Sequence, residues 1–425
     1  MKKFGLLEDI GRRPPILYWA FRRLLAAAES WDRTTRAEWQ AARLQRTLSI
    51  ARRLPGYAGR SGGTGLSSWP VLTKADVSAA EHAFNAHRFL PGYRTTTGGT
   101  TGRPLRIRRS LSIVALEHAV IDHICAKIGI DMARARVAVL RGDFVKSPSS
   151  MSPPFWRTVS PRRKIFSSFH LTSHTLPYYV AALREYAPDV LMCYPSSLQH
   201  LLTLLEGKGE SLRIGAIFAA SEILPTSVAN MARRALGAHV IDHYGQAERL
   251  TVAYAIDGGA HVFIPIYGVP EFLIENDQSA RLVGTSLWND QQVLVRYDTG
   301  DFIRIPCRDS AALKDIALGL APFPGIDGRA SEQINLPDGR RIIGLNHIPR
   351  GVTGASSVQL QYEGRSTVYV YVVPEKSYGP QTEAAIQHNF YQKFPLEIEM
   401  QIRRIDSPIR TQAGKTPLLL PAEKN

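Results

Sequence analysis

Thr95-Thr96-Thr97-Gly98-Gly99-Thr100-Thr101-Gly102-Arg103-Pro104 is the stretch on which the reading of this chain turns. Five threonines and three glycines fall within ten residues, and a basic side chain follows them. Glycines let backbone amides come close to a ligand and hydroxyls add donors, so such a loop suits the oxygens of a phosphate. Arg106, Arg108 and Arg109 lie just beyond Arg103 and bring charge of the kind that balances a polyphosphate. The Gly-x4-Gly-Lys-Ser/Thr loop of the NTPases is not readable near it. Taken alone the stretch also reads as a polar surface turn, and what lies downstream decides.

Downstream, short β-like runs alternate with helical ones. Val137 to Leu140, Val190 to Cys193, Ile214 to Ala219 and His239 to Ile241 read as strands. Leu111 to Ala126, Leu176 to Tyr186, Ser196 to Glu206 and Thr226 to Leu236 read as helices. This alternation implies an α/β fold with largely parallel pairing and ligands at the carboxyl ends of strands, near the loops after Cys193, Ala219 and Ile241. Upstream, residues 15–54 read as helical, and Thr73 precedes a short helix as an N-cap. After about Asp327 the pattern changes. A hairpin over 333–345, alternating apolar positions from Val358 to Val373 about Gly364, a helix at 382–393 and a strand at 396–405 make a small α+β unit.

The 425 residues leave room for a large core, and 44% hydrophobic with 21% charged residues is ordinary for a globular chain. Cys125, Cys193 and Cys307 lack Cys-x-x-Cys spacing, which argues against a zinc site or disulfide scaffold and for a cytoplasmic setting. The net charge is +15, and residues 1–60 hold 13 Lys/Arg against 5 Asp/Glu. Such a surface draws anionic cofactors or lipid, so peripheral membrane contact through the basic N-terminal helix stays open. No nucleic-acid module signature accompanies the charge, and nucleic acid is not an expected partner. No run of eighteen apolar residues is present to span a membrane.

Further motifs follow the Thr/Gly stretch in order. Asp242-His243-Tyr244-Gly245-Gln246-Ala247-Glu248 sits after a predicted strand, where a carboxylate can hold Mg²⁺ beside phosphates and Tyr244 can wall a pocket. Val295-Arg296-Tyr297-Asp298-Thr299-Gly300-Asp301 offers a carboxylate to ribose hydroxyls. Gly325-Ile326-Asp327-Gly328-Arg329 falls where the two units meet, and Arg410-Thr411-Gln412-Ala413-Gly414-Lys415-Thr416-Pro417 lies near the C-terminus.

Together, and in this order, these motifs resemble the adenylate-forming superfamily of acyl-CoA synthetases, adenylation domains and luciferases, over roughly residues 50–420. Leu72-Thr73-Lys74-Ala75-Asp76, Phe169-His170-Leu171, Tyr194-Pro195-Ser196-Ser197-Leu198 and Gln359-Leu360-Gln361 look more like the phenylacetate–CoA ligase branch, closest to its capsular-polysaccharide-associated members. The resemblance implies a large N-terminal ATP- and acid-binding α/β domain over 1–326, with a helical segment over 1–60. A small mobile α+β lid over 327–425 would carry the catalytic lysine.

It further implies that Thr95, Thr96, Thr97, Gly98, Gly99, Thr100, Thr101, Gly102 and Arg103 hold the phosphates of ATP, with Tyr244, Gly245 and Asp301 completing the nucleotide site. Glu248 would take Mg²⁺, and Lys415 and Arg329 would be catalytic. His170, Tyr194, Pro195, Ala220, Ser221 and Tyr244 would surround the acid. The implied reaction is ATP-dependent formation of an acyl-adenylate, with release of pyrophosphate and transfer of the acyl group to CoA or another thiol, amine or hydroxyl, by a monomer or homodimer. Two departures stand out: Ala330-Ser331-Glu332 where the family places an acidic pair, and Ser221-Glu222 in place of a glycine-rich turn. The rivals are a nucleotidyltransferase that leaves AMP on a hydroxyl and a non-catalytic binding protein on the same scaffold.

Overall fold

The computed structural model describes residues 13–60, 63–86, 92–96, 105–147, 150–329, 334–336, 341–342, 345, 348–349, 352–364, 366–411 and 416–422, without the side chains of 329, 335 and 341. Helix α1 (Pro15–Glu29) and α2 (Arg33–Ala51) fill the region expected to be helical over 15–54. The break between them comes where Asp32 caps α2 by accepting from the Thr35 N–H at 2.8 Å. Tyr18, Phe21, Leu25 and Ala28 recur at helical spacing on the buried face of α1. In α3 (Lys74–Ala79), Thr73 and Asp76 close a capping box. The buried face of α1 packs on α4 (Leu111–Ala126), where Tyr18 donates to Asp122 at 2.7 Å and Arg13 to the same carboxylate at 3.0 Å.

Strands β1 (Gly92–Thr96) and β2 (Arg106–Ser110) form an antiparallel ribbon with Thr95 opposite Ile107. Thr95 and Thr96 therefore end a strand, and the rest of the Thr/Gly stretch lies outside the described residues.

The main sheet has eight strands: β3 (Val137–Arg141), β4 (Trp156–Ser160), β5 (Arg163–Ser167), β6 (Val190–Cys193), β7 (Ala216–Ala220), β8 (His239–Gly245), β9 (Val252–Ile256) and β10 (Val262–Phe263). Their order is β10-β9-β8-β7-β6-β3-β5-β4, and the run from β5 to β8 is parallel. Near-continuous apolar runs such as Val190-Leu191-Met192-Cys193 fit strands covered on both faces. On one face Leu140, Leu191, Ile217 and Val240 pack with α5 (Leu176–Tyr186), α6 (Pro195–Lys208) and α7 (Thr226–Leu236). On the other Val190, Phe218 and Ile241 meet α1 and α4.

Strand β8 runs four residues past the expected end at Ile241. Asp242 to Gly245 is thus strand, not the loop after one. Its polar side chains hide it from an apolar-run reading.

A second, antiparallel sheet holds β11 (Gly268–Asn276), β12 (Ser279–Ser286), β13 (Tyr297–Arg304) and β14 (Gly325–Arg329), with α8 (Ser310–Ala317) beside it. Asp301 lies within β13 and pairs with Arg329 on β14, so the expected boundary at 326/327 falls inside a strand. A Cβ at Gly268 would stand 1.7 Å from the Leu250 carbonyl oxygen, so the chain there admits only glycine.

Beyond it, β15 (Ile334–Asn335) and β16 (Arg341–Ile342) form the expected hairpin, whose Pro337-Asp338-Gly339 turn lies outside the described residues. Strands β17 (Ala355–Tyr362), β18 (Thr367–Pro374), β19 (Glu399–Arg404) and β20 (Leu419–Leu420) form a four-stranded sheet. It is covered by α9 (Pro380–Tyr391) around Leu360, Val370, Ile386 and Phe390. The fold is α/β: a large N-terminal part with mixed sheets and helices, and a small C-terminal α+β part. Among the described residues no helix is long and apolar enough to cross a membrane.

Candidate active site

The parallel strands end together. Register places Ala220 of β7 beside His243 of β8 and Leu140 of β3 beside Cys193 of β6, which brings Arg141, Tyr194, Ala220 and His243 into one row at the carboxyl edge. A cleft of ≈ 3030 Å³ opens above this edge and brings together Thr95, Tyr244, Gly245, Glu248, Asp301 and Thr416. It exceeds the roughly 300–1,000 Å³ of a usual small-molecule site, because it also runs along the seams with α1 and with the C-terminal sheet.

Asp301 is buried, at 4% exposure, and accepts a hydrogen bond from the Tyr244 hydroxyl at 2.7 Å. Burial, followed by the Asp301 charge, holds the Tyr244 phenol well above its usual range, so it remains a donor. Glu248 accepts from the Tyr297 hydroxyl at 3.2 Å. The turn carrying it is fixed from both ends. Arg109 of β2 forks onto the Ala247 carbonyl at 3.0 and 2.6 Å, and Gln246 exchanges two hydrogen bonds with Thr251 at 2.9 and 3.1 Å. Arg109, read from the sequence as counter-charge for phosphate, is thus a strut for this turn. Burial pulls its guanidinium down to about 10. Arg249, at φ 59°, pairs with the buried Glu117.

Of the residues assigned to the acid, Pro195, Ala220, Ser221 and Tyr244 line the cleft, while Tyr194 and His170 do not. His170 is 2% exposed; its ring nitrogens lie 2.7 Å from the Ser167 hydroxyl and 3.1 Å from the Ser147 carbonyl, and it stacks on Phe155. Ser221 follows β7 with φ 73°, a left-handed conformation unusual for a residue with a side chain. Glu222 next to it accepts from the Ser196 N–H at the start of α6 at 2.9 Å and from the Thr416 N–H at 3.4 Å. Thr96 is on β1 but not on the cleft wall.

Lys415 and the stretch from Thr97 to Arg103 lie outside the described residues, as does the Arg329 side chain. The described residues on either side of Lys415 are held by hydrogen bonds. Buried Gln359 binds the Ile409 N–H and carbonyl at 2.8 and 2.9 Å and the Pro417 carbonyl at 2.8 Å, and Arg410 donates to the Ser168 carbonyl at 3.0 Å. The polar edge residues Arg141 and His243 were not singled out by sequence reasoning. A signal existed in the position of Arg141 directly after the apolar run Val137 to Leu140.

Among the described residues no cluster of three or more His, Cys, Asp or Glu is arranged to enclose a metal. A lone carboxylate such as Glu248 fits a Mg²⁺ ion, which keeps most of its shell as water and substrate phosphate.

A parallel-cored mixed sheet, an antiparallel sheet carrying Asp301 and a small C-terminal α+β part around one cleft make up a fold shared with solved structures of an acyl-CoA ligase. 2-Hydroxyisobutyryl-CoA ligase in the postadenylation state in complex with R3-HIB-AMP is similar at a TM-score of 0.62 and 17% identity, covering 90% of this chain and 89% of that one. The same ligase in the postadenylation state with 2-HIB-AMP gives 0.58 and 16%, covering 90% and 88%. With 2-HIB-AMP and CoA in the thioesterification state it gives 0.51 and 16%, covering 92% and 91%. No protein-family model matches the chain, and no curated protein does.

Proposed function

We propose that this protein is an ATP-dependent ligase that joins a carboxylic acid to AMP, releases pyrophosphate, and hands the acyl group to CoA or another acceptor. The observation that carries the reading is the buried Asp301 carboxylate, oriented by the Tyr244 hydroxyl, facing the same cleft as Glu248 and Thr416. In this reading Asp301 accepts from ribose hydroxyls, Thr95 and the stretch after it cradle the phosphates, and Glu248 holds Mg²⁺. Lys415, one residue before Thr416, bridges the carboxylate and the α-phosphate. Attack on phosphorus gathers negative charge, and an ammonium in a site shielded from water stabilises it. Arg329, opposite Asp301 in the strand register, approaches the ribose or phosphate from the start of the C-terminal part, which acts as a lid over residues 327–425.

The 2-hydroxyisobutyryl-CoA ligase that shares the fold is named for a CoA thioester, which supports CoA as acceptor. The motifs from Leu72 to Asp76 and around Tyr194 support the phenylacetate–CoA ligase-like branch and a place in polysaccharide or secondary-metabolite biosynthesis, and the isolated cysteines support a cytoplasmic setting. Acid-dependent exchange of pyrophosphate into ATP, screened over aryl, fatty and amino acids with Mg²⁺, tests the reading. Exchange with one acid class supports it. Failure with every class, together with no ATP binding, overturns it.

A further inference from the structure

The wall of the cleft at the carboxyl edge of the parallel strands is polar. His243 is 7% exposed, faces the cleft, and its Nε2 has no hydrogen-bond partner among the described residues. Arg141 lines the same cleft, its buried Nε has no hydrogen-bond partner among the described residues, and its guanidinium stands 6.0 Å from the centre of the Tyr194 ring. Both sit in the one row at the carboxyl edge, with Tyr194 and small Ala220 between them in that row. Unpaired buried polar nitrogens are costly, and two on one cleft wall are most simply explained by a ligand that satisfies them.

The chemistry of the pair selects that ligand. Arg141 Nε is a donor only, and so meets an acceptor. Burial, with the charge of Arg141 adding to it, pulls His243 down to about 4, so near neutrality its ring is uncharged and presents one donor and one acceptor nitrogen. A hydroxyl oxygen accepts from the guanidinium and equally donates to or accepts from a neutral imidazole. A second carboxylate is disfavoured, because Asp143 and Glu222 line this cleft too and offset the charge of Arg141.

We propose that the acid is a hydroxylated carboxylic acid, whose hydroxyl substitution is read by Arg141 and His243 on the cleft floor. This rests on the ligase reading above. It makes the two residues specificity determinants, with the carboxylate itself held nearer Tyr244 and Gly245.

The test pairs pyrophosphate exchange with calorimetric binding of the acids alone, using hydroxybutyrate against butyrate, hydroxybenzoate against benzoate, and succinate as the dicarboxylate. A hydroxylated acid is expected to exceed its deoxy partner by roughly 10²-fold or more in kcat/KM. Arg141→Met and His243→Phe should collapse that ratio toward unity while keeping ATP binding and the wild-type circular dichroism spectrum. If either variant fails to fold, Arg141→Lys and His243→Gln take its place. Exchange that treats the deoxy acids or succinate as well as the hydroxylated acids overturns the inference and leaves the ligase reading intact. Calorimetric binding of a hydroxylated acid, weakened in both variants, without exchange under any condition supports the pocket and overturns adenylation. Neither binding nor exchange with any acid overturns both.

Discussion

The Tyr244 hydroxyl donates to Asp301 Oδ2 at 2.7 Å, tying β8 of the parallel sheet to β13 of the antiparallel one across the cleft. One carboxylate oxygen is thereby occupied, and in the ligase reading the carboxylate also accepts from ribose hydroxyls. Removing the donor leaves a buried carboxylate short of a partner. Tyr244→Phe is therefore expected to lower stability by about 1.5–3 kcal/mol, the range for a hydrogen bond to a charged group. ATP should restore part of this, since ribose hydroxyls replace the lost donor. Urea denaturation with and without ATP measures both, and an unchanged midpoint in the ATP-free protein would remove Tyr244 from this role.

How much of this was legible in the sequence follows from how each signal arises. Helices α5 and α7 match their expected spans because amphipathic periodicity is strong over eleven residues, and α4 because its mostly apolar run is too long for a strand. The strands of the second sheet went unread. Glu271, Asn276, Arg281 and Asp301 interrupt their apolar runs, and antiparallel edges tolerate such interruptions. Strand β8 was cut at Ile241 for the reason that makes it interesting: its last residues serve the cleft instead of the core. His170 was grouped with the acid-binding residues from motif likeness, yet burial beneath Phe155 and bonds to Ser167 and Ser147 occupy its whole ring. The direction taken by a turn side chain such as His170 is set by packing that the residues around it in sequence do not encode.

Glu222 joins two parts of the molecule through one carboxylate. It satisfies the Ser196 N–H, one of the orphan donors at the start of α6, and reaches the Thr416 N–H beside Lys415. Its negative charge also suits the helix N-terminus. Glu222→Ala should cost about 0.5–2 kcal/mol, the worth of a helix cap, and should slow adenylation with little change in the KM for ATP. Glu222→Gln, whose single amide oxygen can keep only one of the two acceptor contacts, should fall between. Equal rates in all three proteins would reduce Glu222 to a simple cap.

Lys415 carries the step at phosphorus in the ligase reading. By analogy with an oxyanion-hole donor, Lys415→Ala should lose roughly 10²–10³ in the rate of adenylation. ATP binding should persist, because the phosphates and ribose are held elsewhere. Pyrophosphate exchange and calorimetric ATP binding separate the two effects. Exchange within a few-fold of wild type would exclude this lysine from the transition state.

His243 gives the fold a pH dependence whose sign can be worked out. In the unfolded chain its imidazole titrates near 6.5, whereas burial first, then the Arg141 charge, pulls it to about 4 in the folded protein. Between those values the unfolded state binds more protons, so the contribution to stability is full above about pH 6.5 and is lost as pH falls toward about 4. A shift of this size corresponds to on the order of 3 kcal/mol. Other groups also titrate there, including His123 and His200, which burial lowers as well, so the useful quantity is a difference. His243→Phe removes this one titration, and its stability should fall less steeply between pH 6.5 and pH 4.5 than that of the wild type in urea melts run at each pH. Parallel slopes for the two proteins would mean that the ring takes up its proton in the folded state as readily as in water, and would also withdraw the neutral imidazole on which recognition of a hydroxyl depends.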